Sequence, residues 1–166
     1  MVETSSKGLT VTLPSDLEIV MTRVFDAPRH LVFDAWTKPE HLKRWFGPRG
    51  WTMPVCEIDL RPGGPWRFFM RKDDGSEMGM YGEYREVVPP ERLVSTEFFE
   101  GAEFEEMGGG TINTLTFEER GGQTTMTTTV LYKSREARDA VLQTGMEDGV
   151  AESFDRLAEL LQTLAA

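Results

Sequence analysis

Cysteine and histidine are nearly missing from this 166-residue chain, which has one Cys and two His. A single Cys rules out an internal disulfide and a cysteine-built zinc site, and it suits a reducing, cytoplasmic setting. His30 and His41 have no partner His or Cys at metal-ligand spacing, so they read as helix-surface residues, and no metal or other cofactor is expected. No run approaches the roughly 20 apolar residues that cross a bilayer. The opening MVETSSKGLT shows no apolar segment of a secretory leader. Positive charge is also short: 18 Lys+Arg face 28 Asp+Glu, a net of -10. That balance argues against nucleic acid and anionic membranes as partners, because both need concentrated positive charge.

What the chain does have is 9 Met together with 4 Trp, 3 Tyr and 10 Phe. Its length fits one domain with a sizeable core. The negative charge is uneven. Residues 1–83 hold 11 basic and 12 acidic groups, whereas residues 84–166 hold 7 and 16, and five of those acids lie between Glu97 and Glu106. This acidic stretch reads as a solvated loop, with an acidic docking surface for a basic protein partner as the alternative.

Residues 1–16 are polar and lack apolar periodicity, which predicts a flexible tail before a single domain over 17–166. Leu17 to Phe25 is rich in β-branched and apolar residues and predicts a strand. Two short helices follow, Pro28–Trp36 and Pro39–Phe46, punctuated by Thr37, Pro39 and Gly47-Pro48. From Trp51 to Tyr132 short alternating runs separated by Gly, Pro and Asp turns predict a β-meander of about six strands. Met146, Val150, Phe154, Leu157, Leu161 and Leu164 recur at steps of three and four, the stripe of one long amphipathic helix. The class is therefore α+β, with an antiparallel sheet that must cover its apolar face and one C-terminal helix long enough to do so.

Strand parity directs Trp66, Phe68, Met70, Met80, Tyr84, Phe98, Leu115 and Met126 toward that helix. The helix offers Met146, Val150 and Phe154, and the short helices offer Trp36, Trp45 and Phe46. Met adapts to irregular shapes and aromatic rings build rigid walls, so these fourteen residues are the candidate lining of an apolar cavity. A filled core that uses Met as packing material is the competing reading.

Several runs carry a family resemblance: LVFDAWTKPEHLKRWFG at Leu31–Gly47, Asp59–Gly64, Tyr81-Gly82-Glu83-Tyr84, Glu86–Leu93 and Gly145–Leu161. Together they resemble, over about residues 17–163, stand-alone members of the family of activators of the heat-shock protein 90 ATPase, homologue-like branch, in the START/Bet v 1-like (SRPBCC) superfamily. The resemblance implies a helix-grip fold, a curved antiparallel sheet wrapped around the C-terminal helix with an apolar cavity between them. The separate N-terminal domain with which eukaryotic co-chaperones of this name activate the chaperone has no counterpart in the sequence. Val150 stands where many relatives carry a bulky aromatic, which implies a larger or reshaped cavity.

Catalytic residues do not stand out. Cys56 reads as a small buried hydrophobe, and Glu57 and Asp59 fall on the outward parity. Arg67 and Arg71 are placed to pair with strand carboxylates. The leading expectation is non-catalytic binding of a small hydrophobic or aromatic molecule by a monomer or weak dimer. A cyclase or dehydratase is the second reading, and it requires an inward ionisable group beside Tyr84. A chaperone-associated or other protein-interaction module using the acidic loop is the third.

Overall fold

The computed structural model describes residues 3–6, 8–101 and 110–165. Among these described residues, nine strands form one antiparallel sheet: β1 (Glu3–Ser6), β2 (Leu9–Thr12), β3 (Glu18–Phe25), β4 (Trp51–Ile58), β5 (Pro65–Lys72), β6 (Glu77–Val88), β7 (Arg92–Phe99), β8 (Thr111–Arg120) and β9 (Gln123–Leu131). Their order across the sheet is β1-β2-β3-β9-β8-β7-β6-β5-β4. The connection from β3 to β4 runs through helices α1 (Arg29–Thr37) and α2 (Pro39–Trp45), which carries the chain from one side of the sheet to its far edge. After β9 come α3 (Arg135–Gln143), capped by the Ser134 hydroxyl, and α4 (Met146–Ala165).

The expected strand, helix pair, meander and long helix are all present. The N-terminus differs from expectation: β1 and β2 form a hairpin that extends the sheet beside β3, and Leu9 and Val11 lie in the core. The period-2 pattern of β2 is only four residues long, LTVT, too short to stand out from a polar segment.

One apolar face of the sheet meets the helices. Ile19, Met21, Phe25, Trp66, Phe68, Met70, Met80, Tyr84, Leu93, Leu115, Phe117, Met126 and Val130 supply it, and Phe154, Leu157, Leu160 and Leu161 of α4 pack on it. Polar contacts fix α4 in place. Arg23 on β3 bonds Asp155 at 2.7 Å, and the Ser153 hydroxyl accepts from Gly47 N–H at 3.0 Å. The Arg156 guanidinium donates to the carbonyls of Arg44, Gly47 and Pro48, tying the α2–β4 turn to the helix. Gly47 takes φ +94° there, and a side chain on it would run into Met70.

Candidate functional site

The aromatic residues predicted to face inward form a connected chain. Trp36 meets Trp45 edge-on at 4.8 Å between ring centres, Trp45 meets Phe46 at 5.4 Å, Phe46 meets Phe68 at 5.3 Å, and Phe68 meets Trp66 at 4.7 Å. Phe154 of α4 joins this chain at Trp36, 6.2 Å away. All of these contacts but the tilted Phe68–Trp66 pair are edge-to-face, a geometry that suits the quadrupoles of the rings. At the α1–α2 end their polar atoms are occupied: Trp45 Nε1 donates to the Ala35 carbonyl and Trp36 Nε1 to Met126 Sδ. Trp45 and Met126 are fully buried, so this end is solid core.

The apolar stripe of α4 is unevenly covered. Phe154, Leu157, Leu160 and Leu161 are buried, but Met146 and Val150 are only half-buried against the core. On the sheet, Met70, Met80, Tyr84 and Leu115 are buried on the inner face as expected.

Phe98 is a correction. Register pairs it with Tyr81, and the two rings stack at 5.4 Å on the outer face, where Tyr81 is exposed. Its neighbours Glu97 and Phe99 therefore take the inward parity, since a one-residue change of phase moves every side chain to the opposite face. Phe99 pairs with Met80.

Glu97 is the residue that sequence reasoning missed. It lies half-buried on the inner face of β7, opposite Thr111 of β8. Burial pushes its carboxyl up to about 7, while a hydrogen bond from the Asn113 side chain pulls the other way. Ser95, opposite Tyr84, and Asn113, opposite Ser95, continue this polar band, and the Thr111 hydroxyl donates to Asn113 Oδ1 at 3.0 Å. Among the described residues two buried side-chain polar atoms lack a partner, Trp66 Nε1 and Thr128 Oγ1. Both belong to the inner face: Trp66 pairs with Gly82 and Thr128 with Leu115. Burial also raises the Tyr84 hydroxyl and pushes the Cys56 thiol up to about 11, which keeps both neutral at physiological pH.

The acidic stretch is redistributed accordingly. Glu97 points inward, and Glu100 forms a two-pronged bond with Arg67, the closer prong at 2.8 Å. Glu103, Glu105 and Glu106 lie outside the described residues. Arg71 pairs with Glu77 and Asp59 with Arg61. His30 is exposed on α1. No described helix is long and apolar enough to cross a membrane.

A curved antiparallel sheet holding a long C-terminal helix, with two short helices after the first central strand, defines the helix-grip class. The family profile of Activator of Hsp90 ATPase homolog 1-like proteins matches residues 26–162, and the chain belongs to that family. Among curated proteins there is no match. The fold is similar to the crystal structure of a protein from Rhodobacter sphaeroides, 28% identical over 93% of this chain and 99% of that one, with a TM-score of 0.85. It is also similar to a protein from Mycobacterium smegmatis (28% identity, 96% and 97% of the two chains, TM-score 0.79). A third likeness is to a protein from Staphylococcus epidermidis (27% identity, 92% and 93%, TM-score 0.79).

Proposed function

We propose that this protein binds a small hydrophobic or aromatic molecule between the inner face of the sheet and the start of α4. The observation that carries this reading is the contrast along α4, where Phe154, Leu157 and Leu161 are buried in the core while Met146 and Val150 stay partly exposed beside it. Those two residues face a core walled by Met and aromatic side chains, surfaces that adapt to varied ligands. Family membership supports it, because START-like folds generally bind hydrophobic ligands. A thermal-shift screen of apolar and aromatic compounds tests it. A ligand at about 100 times its dissociation constant adds roughly 2.7 kcal/mol, read as an upward shift of several degrees. A diverse library that produces no shift contradicts it.

A second reading, acid–base chemistry on an apolar substrate, is favoured by one observation: Glu97 supplies an inward ionisable group one row from Tyr84. A carboxyl held near 7 is suited to exchanging protons at neutral pH. Turnover that disappears in Glu97→Gln while binding persists would select this reading.

A further inference from the structure

Register aligns one inner-face row across three strands. Trp66 of β5 pairs with Gly82 of β6. Gly82 lies between the pairs Tyr81–Phe98 and Tyr84–Ser95, which sets it opposite Glu97 of β7. Gly82 has no side chain to separate its two neighbours. A Cβ built there would overlap the Thr96 carbonyl and come within 2.8 Å of Trp66 Nε1, so the indole N–H lies over the backbone of the intervening strand. Trp66 is 5% exposed, and its N–H has no acceptor. A buried donor without a partner costs free energy in the empty protein and regains it from a guest that accepts a hydrogen bond. Across the glycine stands a carboxyl, which accepts one.

The geometry points to the Trp66–Gly82–Glu97 row as the polar end of the ligand site, recognising a hydroxyl group, above all a phenol, on an apolar body. The inference rests on the binding reading above and names the ligand class. A hydroxyl oxygen accepts from Trp66 Nε1 and its O–H donates to Glu97. Neither the parent hydrocarbon nor a methyl ether makes both bonds. The aromatic chain that ends at Trp66 and Phe68 supplies the wall for the apolar body. The burial that holds the Glu97 carboxyl near 7 marks this as a poorly solvated place, where such bonds discriminate well. A purely structural role for the row is the competing account, and it gives no reason for one chemical class to be preferred.

The test measures affinities for matched probes by calorimetry: 2-naphthol, 2-methoxynaphthalene and naphthalene, with 4-phenylphenol, its methyl ether and biphenyl as a second set. Wild-type protein should bind each phenol about tenfold or more tighter than its ether and its hydrocarbon, as expected for a hydrogen bond to a charged or buried group. Trp66→Phe should narrow the phenol-to-hydrocarbon ratio and Glu97→Gln the phenol-to-ether ratio, with each variant checked for retained folding by circular dichroism. The wild-type comparison needs no variant, so a misfolded substitution does not remove the test. Equal affinity for phenol, ether and hydrocarbon overturns the polar-end inference and leaves apolar binding standing. Failure of all six probes to bind overturns both.

Discussion

At the residue scale, Glu97 and Gly82 govern the behaviour of the inner face. The Glu97 carboxyl rises from an ordinary 4.5 to about 7, with loss of hydration as the largest cause. A raised carboxyl favours the folded state when protonated. Its relative stabilisation is complete below about pH 4.5 and is lost as pH climbs toward about 7. Urea unfolding should therefore show Glu97→Gln gaining on the wild type between those values, by on the order of 2 kcal/mol. A difference that does not change with pH would mean the carboxyl is well solvated. Gly82→Ala should cost about 2 kcal/mol or more, because the added methyl meets a backbone carbonyl that cannot move without disturbing β7. A thermal melt unchanged by that substitution would contradict the close approach of Trp66 and the Thr96 carbonyl.

At the scale of elements, α4 and β7 matter most. Arg156 links α4 to three carbonyls around the α2–β4 turn, and burial disfavours its charged form without removing it. Arg156→Ala should destabilise by about 1–3 kcal/mol in denaturant unfolding, the cost of leaving partly buried carbonyls unpaired. Val150→Trp should weaken binding of apolar probes at least tenfold with little loss of folding, since the half-buried position on α4 would be filled by the indole. Undiminished affinity would place the ligand elsewhere. Helix α4 was legible because its stripe repeats over five turns, and β9 because Thr124, Met126, Thr128 and Val130 keep one parity. In β7 the sequence LVSTEFF has no such alternation, and Phe98 and Phe99 compete for the inward position. The register shift between Tyr84 and Glu86 removes the help that β6 would have given. The same slip of phase that misplaced Phe98 concealed Glu97.

At the scale of the whole molecule, the composition describes two regions of one interior. Around Trp36, Trp45, Phe154 and Met126 the aromatic and Met residues make a filled core with satisfied N–H groups. Around Trp66 and Glu97, the same residue types border half-buried polar groups and an unpartnered donor. Element order and the helix-grip class were readable because hydrophobic periodicity and turn residues act locally. The polar band was not, because it exists only once three strands are in register. Amide chemical-shift mapping by NMR during titration with 2-naphthol shows whether the inner face takes up a ligand, and where. Saturable shifts should gather at Trp66, Gly82 and Glu97 on the sheet and at Met146 and Val150 on α4. Shifts confined to the outer-face residues Tyr81 and Phe98, or none at all, would contradict it.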